Sequence, residues 1–128
     1  MAKNTRATRR APPVPVVQVA QSILFLRGQR VILDRDLAAV YGVPTGRLNE
    51  AIKRNLERFP ADFMFQLTRE EAGQNLEHLP FAFTEHGAIQ AANILSSPRA
   101  IEMGIYVVRA FVKLGRPIGF SADLEEMP

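Results

Sequence analysis

Cysteine is absent from this 128-residue chain. That removes disulfides and cysteine-based zinc sites as sources of stability or chemistry, and it suits a reducing cytoplasm, where the protein is expected. No apolar run approaches the roughly 20 residues of a membrane-spanning helix, so no membrane partner is expected. Arg9 and Arg10 precede a mildly apolar stretch, but Pro12, Pro13, Pro15 and Gln18 interrupt it, which argues against a twin-arginine export signal. Only two histidines occur, His78 and His86. Each follows a glutamate, and across a proline-containing stretch they lack metal-ligand spacing. The sequence holds no phosphate-cradling glycine loop, no nucleophile elbow and no Ser/His/Asp set. These absences point away from an enzyme and from any metal or cofactor. A nuclease built on scattered carboxylates ranks last among the readings.

What is present is enough for one folded domain. Hydrophobic residues make up 47% of the chain, which argues against wholesale disorder, and the length allows a real core without staples. The net charge of +3 hides an asymmetry. Residues 1–58 carry 11 Lys/Arg and 4 Asp/Glu, whereas residues 59–128 carry 5 and 9. A basic half implies a polyanion partner. Residues 11–58 keep an excess of +3 without the basic arm.

The chain divides at composition shifts. Residues 1–20 are proline-rich and basic and read as a disordered arm; residues 21–115 read as the domain; residues 116–128 read as an acidic flexible tail. Ile23–Arg27 and Arg30–Leu33 flank Gly28–Gln29, which predicts a β-hairpin with a type II′ turn. Asp62–Leu67 reads as a strand with Phe63, Phe65 and Leu67 on one face. Pro80–Phe83 is extended and can pair with it. Thr68 caps a helical turn over Arg69–Ala72, ended by Gly73. Thr84 caps a helix over Glu85–Leu95 with Ala88, Ile89, Ala92 and Leu95 buried. Ser97–Pro98 starts a helix to Leu114. That last helix carries two apolar stripes, Ile101/Ile105/Val108/Val112 and Val107/Phe111/Leu114. Such width suits a helix central to the domain or shared with a second copy, so a homodimer through residues 98–114 is expected. The fold class is α+β: a helix-turn-helix core with a short N-terminal β-hairpin, a small antiparallel sheet and two C-terminal helices.

The helix-turn-helix is placed at 34–58. Asp34 or Asp36 caps a first helix, Gly42 makes the corner, and Thr45 caps a second. Ala38 permits close approach and Leu48 plugs the gap, with Ala51, Ile52 and Leu56 continuing the apolar side. Around the second helix, Arg47, Arg54 and Arg58 fall on one flank and Asn49 and Lys53 on the other. Glu50 and Glu57 point outward. Arginine and asparagine suit guanine and adenine edges, and Lys53 and Arg58 suit phosphate. The candidate DNA-binding set is therefore Thr45, Arg47, Asn49, Glu50, Lys53, Arg54 and Arg58. Asn55 reads as structural. The competing reading is a solvated face with Glu50–Lys53 and Glu50–Arg54 helix pairs.

With these residues laid out, the chain resembles the ORF6N domain, a relative of the KilA-N DNA-binding domains of phages, prophages and large DNA viruses. The strings that carry the resemblance are RGQRVILDRDLAAVYGV (27–43), RLNEAIKRNLERFPADFMFQLT (47–68), PFAFTEHG (80–87) and SPRAIEMGIYVVRAFVKL (97–114). Relatives usually carry a longer, basic insert before the PFAFTEHG stretch, whereas Gln74–Leu79 here has no Lys or Arg. Relatives also often continue into a C-terminal effector domain, which this chain does not show. The resemblance implies a double-stranded DNA-binding module in a transcriptional regulator. The alternative is an antirepressor-like module that binds a repressor protein rather than DNA.

Overall fold

The computed structural model describes residues 16–73 and 78–115. The basic arm before Val16, the Gln74–Glu77 stretch and the acidic tail lie outside the described residues. Six helices and four strands follow in order: α1 (Val16–Gln21), β1 (Ile23–Leu26), β2 (Gln29–Leu33), α2 (Asp34–Tyr41), α3 (Thr45–Lys53), β3 (Met64–Gln66), α4 (Arg69–Ala72), β4 (Phe81–Phe83), α5 (Glu85–Leu95) and α6 (Pro98–Leu114). A single 3-10 turn, Leu56–Arg58, lies between α3 and β3. The α+β class holds, with the sheet and the helices sharing one core. None of the described helices is long and apolar enough to cross a membrane.

The sheet is antiparallel in the order β1-β2-β4-β3. β4 is the joint: Phe83 lies between Ile32 and Met64, and Ala82 between Leu33 and Phe65. Because strand side chains alternate faces, Ile32, Met64 and Phe83 enter the main core with the helices. Val31, Leu33, Leu67 and Ala82 form a second, smaller cluster under Leu26, Phe65 and Ala72. Phe63, expected on the Phe65 face, packs against the main core instead. It precedes the strand proper, so the alternation does not bind it.

The hairpin turn differs from expectation. The central residues are Arg27 and Gly28, with φ of 53° and 77°. Positive φ at both positions is the type I′ signature, whose twist matches the flanking strands, rather than type II′. Arg27 tolerates this because its guanidinium is anchored. It forms a two-point bond with Glu71 at 2.8 and 2.9 Å and lies 4.0 Å from the centre of the Phe65 ring.

The main core gathers Leu37 and Tyr41 of α2, Leu48 and Ile52 of α3, Ala88 and Ala91 of α5, and Met103 and Val107 of α6 around Phe83. The Tyr41 hydroxyl donates to the Ala88 carbonyl at 2.7 Å, and burial pushes its pKa up. Gly42 adopts the left-handed conformation that ends α2, with φ of 73°. The Arg99 side chain closes over that corner and donates from Nε to the Val40 carbonyl at 3.3 Å. Gly87 meets β3's approach: a Cβ there would stand 1.8 Å from the Phe63 carbonyl oxygen. Thr84 caps α5, and its hydroxyl also donates to the Asp62 carbonyl at 2.8 Å. Thr68 and Glu71 make a full capping box on α4. Ser97 caps α6 with Pro98 in its first turn, as the sequence indicates.

Three further expectations change. Residues Val16–Gln21, all but Gln21 assigned to the arm, form α1, with Val19 buried and the helix packed along α6. The buried stripe of α5 is Gly87, Ala88, Ala91 and Ala92, and Ile89 is only half-buried. Small residues face α6, whose Gly104 comes close to Ala92. On α6 itself the buried face is Ala100, Met103, Gly104, Val107, Ala110 and Phe111.

Candidate nucleic-acid interface

α2 and α3 are joined by Gly42–Pro44, and the two helices pack through Leu37, Ala38, Leu48 and Ile52. α3 is shorter than its sequence period suggests. It ends at Lys53, and the chain tightens into the Leu56–Arg58 turn. Asn55 supplies the reason. Its side-chain amide donates to the Ala51 carbonyl at 2.9 Å, taking the acceptor that its own backbone N–H would use, and that N–H turns to Ile52 instead. Asn55 is thus structural, as expected. The break also throws Leu56 outward to 55% exposure, so it does not continue the apolar side. Nor do Asp34 and Thr45 cap: Leu33 and Pro44 occupy the cap positions, and no side chain caps either helix.

Asp34 has a different task. It is the first residue of α2 and one of the few buried polar groups, 6% exposed. Its Oδ1 accepts from the Arg35 backbone N–H at 2.8 Å. Its Oδ2 accepts from the Asn49 side chain at 3.1 Å and from the Phe81 backbone N–H at 3.3 Å. One carboxylate therefore ties α2 to α3 and to β4. The negative charge also sits where a helix N-terminus favours it. Its neighbour Asp36 has its pKa raised, by desolvation first, opposed by Arg35.

The candidate residues divide accordingly. Arg47, Glu50, Lys53 and Arg54 are exposed on the outward side of α3, and Thr45 is half-buried at its start. Asn49 is half-buried and committed to Asp34. Its amide nitrogen ties α3 to the start of α2. Arg58 is exposed but lies on the 3-10 turn, off α3, as does Glu57. Glu50 and Arg54 form an exposed pair at 3.4 Å; among the described residues, Glu50 makes no such pair with Lys53.

An open groove of about 880 Å³ runs beside α3. Arg35, Thr45, Gly46, Asn49, Glu50 and Lys53 line one wall, and Gln66 and the His78–Phe81 stretch line the other. Gln66 fixes that second wall by donating to the Leu79 carbonyl at 3.0 Å. Arg35 is exposed here and escaped the sequence reading. Its signal was its place beside Asp34, which the turn back of α3 converts into proximity to Lys53. His78 is exposed at the groove edge, while His86 stacks on Phe63 at 5.5 Å between ring centres. Among the described residues, no group of three His, Asp or Glu side chains is placed to hold a metal ion. Phe63, Met64 and Phe65 serve the two cores rather than a stacking platform.

A comparison with protein-family models matches residues 21–94 to the ORF6N domain. No curated protein and no solved structure matches the chain. The matched span holds the sheet, both helices of the 34–53 pair and the groove; α6 lies beyond it.

Proposed function

The chain belongs to the ORF6N-domain family, and from that premise we propose that it binds double-stranded DNA as a phage- or prophage-type transcriptional regulator acting in the cytoplasm. α2 and α3 serve as a helix-turn-helix, with α3 as the reading helix. The observation that carries this is the outward side of α3: Arg47, Lys53 and Arg54 are exposed there, and Arg35 shares the adjoining groove with Lys53. The helix is held from behind by Leu48, Ile52 and the Asp34–Asn49 bond, so its outer face is rigid and free. Arg47 suits a guanine edge, whereas Arg35, Lys53 and Arg58 suit phosphates. No catalytic step is assigned to this surface.

The test is a set of binding isotherms over a salt series, on a site selected from random DNA and on a scrambled site. Arg47→Ala should cost ~1–3 kcal/mol on the selected site and relax preference at one position. Lys53→Ala and Arg35→Ala should weaken both sites and lower the salt slope by roughly one each. If all three variants fold and bind as the parent does, α3 is not the reader. A repressor-binding, antirepressor-like role is the second reading. The apolar stripe left exposed on α6 favours it, because such a stripe suits protein rather than nucleic acid. Capture of a repressor without any DNA shift would put that reading first.

A further inference from the structure

α6 presents two faces. Its buried face, from Ala100 to Phe111, packs on α1, α2 and α5. A second stripe points away from that core: Ile101, Ile105 and Val112 are 59%, 52% and 66% exposed, and Val108 is half-buried between them. The spacing i, i+4, i+7, i+11 makes this a straight seam, about 16 Å long at 1.5 Å per residue. Single exposed apolar residues mean little, but an ordered row of four is a contact surface.

The charges beside the stripe say what covers it. At 100° per residue, Glu102, Arg109 and Lys113 all fall along the same outer border of the seam. We propose that a second copy of this chain covers the stripe, with the two α6 helices antiparallel about a two-fold axis between Tyr106 and Val107. A two-fold there sets Ile101 against the partner's Val112, and Ile105 against the partner's Val108. It places Glu102 level with the gap between the partner's Arg109 and Lys113, roughly 3 Å along the axis from each. Both ends of the seam then carry a carboxylate against two cations. A parallel pair would instead carry the charged borders of the two helices to opposite sides of the seam, because its two-fold axis runs along the helices, and would leave Glu102 without a partner cation. The stripe is thus self-complementary in one orientation only, the condition for a closed two-fold interface. The pairing does not depend on DNA binding, and it lies outside the family-matched residues.

The absence of cysteine makes the orientation testable on the full chain. Sedimentation should show a dimer. Ile105→Glu should raise its dissociation constant at least tenfold while leaving circular dichroism and melting of the monomer unchanged. Glu102→Lys should weaken the dimer, and the triple variant E102K/R109E/K113E should restore it. An equimolar mixture of Ile101→Cys and Val112→Cys chains should form a disulfide-linked dimer on oxidation. Ile101→Cys alone should not, because its two thiols would sit at opposite ends of the seam, beyond disulfide reach. A monomer at high concentration, a dimer indifferent to Ile105→Glu, or efficient self-linking of Ile101→Cys would each overturn the proposal. A monomer that captures a different protein through this stripe would do so as well.

Discussion

Replacing Asp34 by alanine removes the acceptor on which α2, α3 and β4 converge. The carboxylate is buried and takes three donors, at 2.8, 3.1 and 3.3 Å. A hydrogen bond to a charged group contributes about 1.5–3 kcal/mol. The three losses do not simply add. Arg35 is exposed and the Asn49 amide borders the open groove, so water can replace the carboxylate for both. The Phe81 N–H starts a central strand and also borders the groove, so part of its loss is recovered in the same way. The expected loss is therefore about 3 kcal/mol, a drop of roughly 15 °C in melting temperature for a domain of this size. Asp34→Asn should cost nearly as much, because an amide nitrogen would face donors. Asn49→Ala should cost less, about 1 kcal/mol. It loses one bond but also deletes the Asn49 Oδ1 atom, which is buried without a partner. The double variant should show a coupling of about 1 kcal/mol. Urea unfolding of the parent and the four variants measures all of this. A loss below about 0.5 kcal/mol for Asp34→Ala, or independent additive effects, would refute the idea that this carboxylate clamps the interface. In DNA binding, Asn49→Ala should then weaken every sequence to a similar degree, through the position of α3, rather than at one base.

Gly87→Ala places a methyl group where the Phe63 carbonyl oxygen already stands at 1.8 Å; backbone must move, and thermal melting should show a loss of more than about 3 kcal/mol. Glu71 is held well below the usual carboxylate range, to about 2, first by the hydrogen bond from Arg27 and then by the Thr68 N–H. A depressed carboxyl stabilises the fold above its unfolded value of 4.5, and that contribution is lost as pH falls through about 2. Carboxyl chemical shifts should titrate there, and Arg27→Ala should move the midpoint up towards the ordinary value. A chain spanning residues 16–115 should melt cooperatively, whereas starting at residue 22 should lower the midpoint, because burial of Val19 is lost, ~1.5–3 kcal/mol.

Local chemistry carried most of the fold. Gly42, Thr68, Thr84 and Ser97 mark helix boundaries by their own backbone or side-chain preferences, and each does so in the structure. The pairing of Phe81–Phe83 with the aromatic strand followed from two short extended runs, although the joining of both to the hairpin did not. The misses are long-range. A six-residue helix such as α1 has little stability of its own, and only α6 makes it worth forming. Asp34 looked like a cap because its local sequence suits one; Asn49 and Phe81, 15 and 47 residues away, draw it elsewhere. The early end of α3 lay in a competition at Asn55 that a helical period does not register. In the candidate site, the exposed positions of Arg47, Lys53 and Arg54 were legible from the wheel. The capture of Asn49 and the arrival of Arg35 required the tertiary arrangement.

Glu50 constrains how α3 can meet DNA. It occupies the outward crest, directly opposite the buried Leu48–Ile52 side, and its side chain is 63% exposed. A helix lying flat in the groove would press this carboxylate toward phosphates. Its pairing with Arg54 offers little relief, since an exposed pair at 3.4 Å is weak and Arg54 belongs to the proposed DNA-facing set. Entry by the N-terminal end avoids the conflict. Thr45 and Gly46 lead, a Cβ on Gly46 would meet nothing within 4 Å, and no side chain caps the first turn. Arg35 and Arg47 flank that end, whereas Glu50 follows roughly one turn behind. Glu50→Gln separates two roles for the carboxylate in this pose. If it only repels phosphates, the variant should bind selected and scrambled DNA alike more tightly. The gain should be about fivefold at low salt, the ~1 kcal/mol of one charge pair in water, and should fade as salt rises. If it accepts from a cytosine amino group, affinity for the selected site should fall while the scrambled site still gains. Unchanged isotherms on both sites would mean that Glu50 never approaches the duplex, and the end-on pose would fail with it.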